Sequence, residues 1–179
     1  MKKIFISITM VVLVSLTSFT AKAGDVERTS RQGFFIGFDL GGGGVHIGSP
    51  AANTGAMLGG LKIGGGFNEK FLLMYEGASA ATFRNDEAAG YASLLSGQFF
   101  LTDQFYVRPG LGFAVTTYKS GPSTTTTSKA GLGLGFATGY EMRLTKRFAL
   151  SPEAKVDYAR TNGHNNTAYG VSVDLRWYF

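Results

Sequence analysis

Alternation of apolar and polar residues recurs in eight segments of this chain and constrains the fold more than any other feature. A period of two places successive side chains on opposite faces of a β-strand. The segments are about ten residues or longer, which exceeds most strands of soluble domains and suits a tilted strand that crosses a membrane. The aligned apolar residues are Phe34, Ile36, Phe38 and Leu40; Met57, Leu61, Ile63 and Phe67; Phe71, Leu73 and Tyr75; Tyr91, Leu95, Phe99 and Leu101; Phe105, Val107, Leu111, Phe113 and Val115; Leu132, Leu134, Phe136, Tyr140, Met142 and Leu144; Phe148, Leu150, Val156 and Tyr158; and Tyr169, Val171, Val173, Leu175, Trp177 and Phe179.

The connections between these segments alternate in length. The short polar turns are at 68–70, 102–104 and 145–147, and the longer polar or small-residue loops are near 45–55, 82–89, 119–129 and 160–167. Short turns at one rim and longer loops at the other are typical of outer-membrane barrels.

The opposite faces of the strands carry small residues together with polar and charged ones. A soluble β-sandwich would turn the charges to solvent, whereas a membrane barrel encloses them and presents its apolar faces to lipid. Aromatic residues near the strand ends suit the two membrane interfaces and favour the barrel. The sequence therefore predicts an all-β fold, an eight-stranded antiparallel transmembrane up-and-down β-barrel, closed by pairing of the last strand with the first near 34–44. The polar residues assigned to the interior are Asp39, Lys62, Glu76, Gln98, Arg108, Glu141, Arg143, Glu153, Lys155, Asp157, Asp174 and Arg176.

The predicted interior charges nearly balance, with five basic residues against six acidic ones. Eight strands enclose enough room for side chains but not for an aqueous channel. Buried charges have to be paired, because an unpaired one is strongly destabilising. We therefore expect a salt-bridged plug. The alternative is an ion-selective path, which usually shows an excess of one sign.

Two prolines conflict locally with this interpretation. Pro109 and Pro152 fall inside predicted strands, and a closed barrel has no edge strand in which a missing N–H is harmless. A β-bulge or a rim position is expected to accommodate each of them.

The first 23 residues have the layout of a secretory signal peptide. Two lysines precede an apolar stretch over 4–16, and alanines flank Lys22 at the predicted cleavage site. The apolar stretch is shorter than a transmembrane helix, and an uncleaved anchor is the alternative. Cleavage would leave residues 24–179 as one barrel domain and lower the formal charge from +5 to +2, because three lysines leave with the signal.

Composition excludes several classes of function. The chain has no cysteine, which rules out disulfides, thiol nucleophiles and cysteine-ligated zinc. It has no cluster of lysine and arginine with interleaved aromatic residues, so no nucleic-acid partner is predicted.

Residues suited to catalysis are few. Acyl transfer needs a nucleophile, a base and an orienting acid within hydrogen-bond reach. The only histidines, His46 and His164, fall in predicted long loops, where a histidine is more often a solvated surface residue. The glycine runs at 41–44 and 64–66 lack the Lys-Ser/Thr pair and the helix of a phosphate loop, and small residues on a crowded barrel face explain them better. We predict no catalytic residue, no metal site and no cofactor.

The signal peptide, the eight alternating strands, the loop pattern and the terminal VSVDLRWYF together resemble the small eight-stranded outer-membrane proteins of the OmpA/OmpX type. The resemblance covers 24–179. It implies a monomer in the outer membrane of a Gram-negative bacterium, in contact with lipid and lipopolysaccharide. A C-terminal strand of this pattern resembles the signal that the barrel assembly machinery reads in that family. The matching positions are Val171, Val173, Leu175, Trp177 and Phe179.

These features predict a structural or surface-interaction role without enzymatic turnover. The low-complexity stretch KSGPSTTTTSK at 119–129 could bind a host or surface ligand, or could be a surface loop with no partner. Small outer-membrane barrels include lipid A deacylases and palmitoyltransferases, so the resemblance leaves a lipid A-modifying acyl enzyme as one alternative. A small channel is the other.

Overall fold

The computed structural model describes residues 30–48, 51–82, 88–119, 125–127, 130–161 and 164–179, and the regular secondary structure in these ranges is β-strand. The predicted signal peptide lies outside the described residues. No helix in the described part of the chain is long and apolar enough to cross a membrane.

Ten strands are assigned within the described ranges. They contain the alternating apolar residues of the sequence pattern except Leu101, Leu144 and Phe179, each of which directly follows a strand. Their bounds are Gly33–Gly48 (β1), Ala51–Asn68 (β2), Phe71–Thr82 (β3), Ala88–Phe100 (β4), Phe105–Lys119 (β5), Thr125–Thr127 (β6), Gly131–Tyr140 (β7), Met142–Arg143 (β8), Phe148–Thr161 (β9) and His164–Tyr178 (β10).

These strands close into one antiparallel barrel. β7 and β8 both pair with β9 in the same register, so they are two parts of one strand interrupted at Glu141. The short β6 pairs with the end of β5 and extends that hairpin. The wall therefore has eight strands, which confirms the predicted up-and-down barrel.

The closing seam joins the first strand to the last. β1 pairs with β10 from Phe35↔Tyr178 to Ile47↔Asn166, so neither strand is left with an open edge. Past the strand end, the Phe179 backbone N–H donates to the Phe34 carbonyl oxygen at 3.0 Å, and the two rings pack with their centroids 5.6 Å apart. The predicted pairing of the last strand with the first is confirmed.

The two faces of the barrel wall differ sharply in polarity. Leu61 is 66% exposed on the outer face, whereas the next residue, Lys62, is 1% exposed inside the lumen. The same alternation recurs round the wall, so the apolar residues of the sequence pattern cover the outside. Apolar residues outside and charges inside reverse the arrangement of a soluble protein.

Aromatic rings pack together on the outer face near the short turns. Phe71 lies between Phe67 and Phe99, with ring centroids 5.7 Å and 4.9 Å away. Phe148 packs against Trp177 at 6.0 Å. These contacts link neighbouring strands into part of a belt of the kind that outer-membrane barrels place at a membrane interface.

Both strand prolines sit at gaps in the hydrogen-bond ladder. β4 and β5 keep a single register on either side of Pro109, but residues 97 and 98 of β4 have no assigned partner across from it. Pro152 lies opposite the interruption between β7 and β8. Because proline has no N–H to donate, pairing lapses at these points while the strands stay aligned. Of the two expected accommodations, a β-bulge or a rim position, the bulge is wrong, because the register does not shift at either proline.

The three short turns lie where the sequence predicts them, and threonine side chains support two of them. Thr102 Oγ1 accepts a hydrogen bond from the backbone N–H of Phe105 at 2.9 Å. Thr145 Oγ1 accepts the equivalent bond from Phe148 at 3.0 Å. Side-chain bonds of this kind favour a tight reversal of the chain.

At the opposite end, the strands run further than the sequence indicates. His46 lies within β1 and His164 begins β10, so the placement of both histidines in long loops is wrong. The reason is that backbone pairing continues beyond the apolar repeat, as in the pairs His46↔Asn53 and His164↔Thr161.

Glycines on the inner face allow the strands to approach closely. A Cβ at Gly43 would lie 1.9 Å from the carbonyl oxygen of Tyr169 on β10, whereas a Cβ at the outward-facing Gly42 would find its nearest neighbour 3.9 Å away. The concave inner surface of a small, strongly coiled barrel is crowded. The glycine runs at 41–44 and 64–66 lie inside β1 and β2, and their inward-facing members Gly41, Gly43, Gly64 and Gly66 serve this packing.

Candidate functional site

The polar interior side chains form a network between the short-turn rim and the middle of the barrel. Of the twelve residues that the sequence assigns to the interior, ten are buried, and Arg143 and Asp157 are half-buried. Regular strands bring them together because every second side chain of each strand points into the same narrow lumen.

Lys62 neutralises two carboxylates that the strand register places side by side. Asp39 and Asp174 are directly opposite each other on β1 and β10, where like charges repel. The Lys62 ammonium lies 3.2 Å from Asp39 Oδ2 and 3.1 Å from Asp174 Oδ1. Lys155 adds a second cation by donating to Asp39 Oδ1 at 2.6 Å.

Glu153 on β9 is the central acceptor of this cluster. It receives two hydrogen bonds from the Arg108 guanidinium, at 2.6 Å from Nη1 and 2.8 Å from Nη2. It also accepts from the Lys62 ammonium at 3.1 Å and from the Tyr106 hydroxyl at 2.6 Å. Bidentate, charge-assisted pairs of this kind are the strongest of the polar contacts in proteins.

Arg108 continues the network across the lumen to β3. Its Nε lies 3.1 Å from Glu76 Oε2, and its Nη2 donates to Glu76 Oε1 at 3.3 Å. Ser96 on β4 donates to the same carboxylate at 3.3 Å. One guanidinium thus connects the carboxylates of Glu76 and Glu153, whose strands are not adjacent in the wall.

Glu141 forms a second centre nearer the short turns. Its Oε1 lies 3.0 Å from Arg31 Nε and 2.9 Å from Arg143 Nε. Its Oε2 accepts from the Tyr178 hydroxyl at 2.7 Å and lies 3.5 Å from Arg176 Nη1. Glu141 occupies the interruption between β7 and β8, where its backbone N–H donates to the Gln104 carbonyl oxygen at 2.8 Å.

Arg176 connects the two centres. Its Nη2 donates to Asp174 Oδ2 at 2.7 Å and to Gln98 Oε1 at 3.0 Å. The guanidinium carbon lies 4.9 Å from the centroid of the Phe35 ring, which contributes a cation–π contact. Because Arg176 contacts Glu141 as well, the interior is one continuous network.

Arg31, which was not predicted as an interior residue, closes the short-turn end. Its guanidinium lies 3.6 Å from the centroid of the Phe100 ring and donates to the backbone carbonyl oxygens of Glu69 and Asp103. The residue precedes β1, so the period-two pattern gives no signal for its position.

Two tyrosines were also not predicted, because the apolar stripes of the sequence pattern place aromatic residues on the outer face. Tyr106 and Tyr178 are buried in the lumen, and each donates its hydroxyl to a network carboxylate. Their position in the alternation could have revealed them, since each lies two residues from an interior arginine, Arg108 or Arg176.

With Arg31 included, six basic and six acidic side chains face one another in this network. Five of the six carboxylates form at least one salt bridge. The exception is Asp157, which makes no salt bridge with any described lysine or arginine. In the described part of the chain, no three His, Asp or Glu side chains are arranged to hold a metal ion.

The residues of the predicted assembly signal lie on the outer face of β10. Val171, Val173, Trp177 and Phe179 are exposed, and Leu175 is half-buried. They form an apolar stripe that ends at the seam with Phe34.

Comparison with solved structures identifies the same fold. The chain is similar to neisserial surface protein A, with a TM-score of 0.68, 15% sequence identity, and 82% of this chain aligned to 97% of that one. It is similar to Ail, the attachment invasion locus protein of Yersinia pestis, with a TM-score of 0.58, 12% identity, and coverage of 81% and 99%. The outer membrane protein OprG from Pseudomonas aeruginosa gives a TM-score of 0.51, 12% identity, and coverage of 87% and 100%.

No protein-family model and no curated protein sequence matches the chain. The likeness to these solved structures shows that the fold is that of the small outer-membrane β-barrels.

Proposed function

We propose that the chain is an integral outer-membrane barrel of a Gram-negative bacterium with a structural or surface-interaction role and no enzymatic turnover. The observation that carries this proposal is the polarity of the wall, which has an apolar outside and an ion-paired inside. Phe113 is 71% exposed and Leu61 is 66% exposed, within a surface of similar residues that extends round the barrel. Soluble monomers rarely expose continuous apolar surfaces of this extent, whereas a lipid bilayer covers them.

Membrane residence is tested by fractionation and by gel migration. The folded protein should be recovered in the outer-membrane fraction, and it should migrate differently before and after heating in detergent. Recovery as a soluble periplasmic protein would contradict the proposal.

The structural role, as opposed to a channel, is supported by the network inside the lumen. Glu153 and Glu141 each have several charged donors at hydrogen-bond distance. Neither carboxylate is therefore available to bind an ion that enters the lumen. In planar bilayers the purified barrel should give no sustained large conductance steps. Stable steps of this kind would favour the channel instead.

The absence of turnover is proposed because the network engages five of its six carboxylates, all except Asp157, with opposite charges. A general base needs a free acceptor within reach of a nucleophile, and a carboxylate such as Glu153 is fully occupied. Lipid A from cells with and without the protein should therefore carry the same acyl chains. A change in acylation would support the lipid A-modifying alternative.

Contacts with the surroundings are proposed from the outer surface and the loops. Lipid and lipopolysaccharide would cover the apolar band, the assembly machinery would read the stripe Val171–Phe179, and the stretch 119–129 would meet surface ligands. The name of Ail, an attachment protein of the same fold, is consistent with such a role. Bacteria in which a short Gly-Ser turn replaces 119–129 should adhere less to epithelial cells at equal surface levels. Unchanged adhesion would count against a binding role for this stretch.

A further inference from the structure

A cavity occupies the long-loop end of the lumen, beyond the charged network. Its walls carry very small side chains from five strands. The space between them measures about 530 Å³ when gaps between atoms and open solvent at the mouth are included, and about 50 Å³ of it can hold the centres of water molecules. The alanines that line it are Ala78, Ala80, Ala92, Ala114, Ala159 and Ala168. Leucine or phenylalanine at these positions would fill the barrel, so the cavity exists because the sequence places alanines there.

A single carboxylate lies at the inner end of this cavity. Asp157 borders the alanine-lined space on one side and a smaller gap beside Glu76 and Arg108 on the other. The neighbouring Lys155 is directed to Asp39 at 2.6 Å, and Arg108 is held by Glu76 and Glu153. No described cation forms a salt bridge with Asp157.

Charge is unevenly distributed along the lumen, although the whole network is balanced. Near the short turns, three arginines (Arg31, Arg143 and Arg176) face Glu141, and Arg176 also pairs with Asp174. The other three cations (Lys62, Arg108 and Lys155) face Asp39, Glu76, Glu153 and Asp157, and Lys62 shares Asp174 with Arg176. The excess negative charge therefore lies away from the short turns, and Asp157 is the member of this set that lines the cavity. In a lumen of low dielectric constant, such an excess attracts a cation strongly.

We propose that this cavity binds a small organic cation, a primary ammonium group on a short apolar chain. The ammonium would pair with the Asp157 carboxylate, and the apolar chain would pack against the alanine methyl groups. A cup lined mainly by apolar side chains with a few polar groups is the usual design of a small-molecule site, and here Thr116 and Asn166 line the cavity as well as Asp157. A bare inorganic cation fits less well, because the six alanines offer no oxygen atoms to replace its hydration shell and Thr116 Oγ1 already accepts a hydrogen bond from Asn166. The site goes beyond the structural and surface role proposed above. The charged network closes the inner end of the cavity, so a bound molecule would not pass through the barrel.

The test uses n-butylammonium as the probe and the folded full barrel in detergent micelles with labelled alanine methyl groups. NMR resonances of Ala78, Ala114 and Ala168 should shift in a saturable manner, while Ala149, buried near the short turns, should not. Butanol and butyrate, which match the probe in size, should give no saturable shift. In Asp157→Asn, the dissociation constant for butylammonium should rise roughly tenfold or more.

Three results would overturn the proposal. These are unshifted cavity methyl groups in the wild-type protein, equal affinity in Asp157→Asn, and binding of butanol as tight as that of butylammonium. If Asp157→Asn does not fold, Ala114→Val provides the second variant, because its added methyl groups reduce the cavity and should weaken binding. Heat-modifiable migration of the same samples reports the barrel separately, so an empty cavity in an intact barrel leaves the proposed function standing.

Discussion

Replacement of Glu153 by glutamine should destabilise the barrel strongly while preserving the size of the side chain. Glu153 is the acceptor for both terminal nitrogens of Arg108, for the Lys62 ammonium and for the Tyr106 hydroxyl. The substitution removes one negative charge and turns one acceptor atom into a donor. It therefore points an NH₂ group at groups that are themselves donors.

The magnitude follows from the contacts that are lost. Hydrogen bonds to charged groups contribute about 1.5 to 3 kcal/mol each, and at least two lose their acceptor. Removal of one partner from a buried ion pair costs about 3 to 5 kcal/mol, because the remaining charge is left in the interior. The Glu153 side chain is fully buried, so solvent cannot take its place. We expect a loss of about 3 to 5 kcal/mol in the free energy of unfolding.

Urea unfolding of the protein in lipid bilayers measures this loss, with fluorescence of the only tryptophan, Trp177, as the signal. Asp157→Asn is the matched control, since it makes the same chemical change on the same face of β9, four residues along the chain. Because Asp157 makes no salt bridge with a described residue, its replacement should cost less than about 1 kcal/mol. Equal losses for the two variants, or a loss below about 1 kcal/mol for Glu153→Gln, would refute the idea that Glu153 is the centre of the network.

Three further predictions concern the closing seam and the short-turn rim. Gly43→Ala should destabilise the barrel by about 2 to 3 kcal/mol through overlap with the backbone of β10, while Gly42→Ala should be tolerated; heat-modifiable gels of the two variants compare them directly. Arg31→Ala should lower the free energy of unfolding by about 2 kcal/mol, because it removes the guanidinium that pairs with Glu141 and donates to two backbone carbonyl oxygens. Arg31→Lys should recover only part of this free energy, because an ammonium group cannot make all of these contacts. Deletion of Phe179 should reduce the amount of barrel in the outer membrane more than it reduces secretion, because the residue supplies the last backbone bond to β1; normal outer-membrane levels would contradict this.

Which side chains share a face of the wall follows from the order of the residues alone. In a β-strand the period is two whatever the tertiary context, so Lys62 and Leu61 must lie on opposite sides of the wall. Because the strands are long enough to cross a bilayer, the apolar face of each strand points outward to lipid and the polar face points into the lumen. This local rule explains why the predicted interior residues lie in the lumen. It also explains which interior residues were not predicted. Arg31 lies outside any strand, and Tyr106 is of a residue type that the pattern places on the outer face.

Which of the interior charges meet depends on how the barrel closes. Lys62 is directly opposite Glu76 in the register of β2 and β3, yet it forms salt bridges with Asp39, Glu153 and Asp174. Closure of the wall places strands that are far apart in the sequence across a narrow lumen, where a long side chain reaches the far wall as easily as its neighbour. The cavity beside Asp157 has the same origin, because its space depends on how alanines from several strands converge once the barrel has closed.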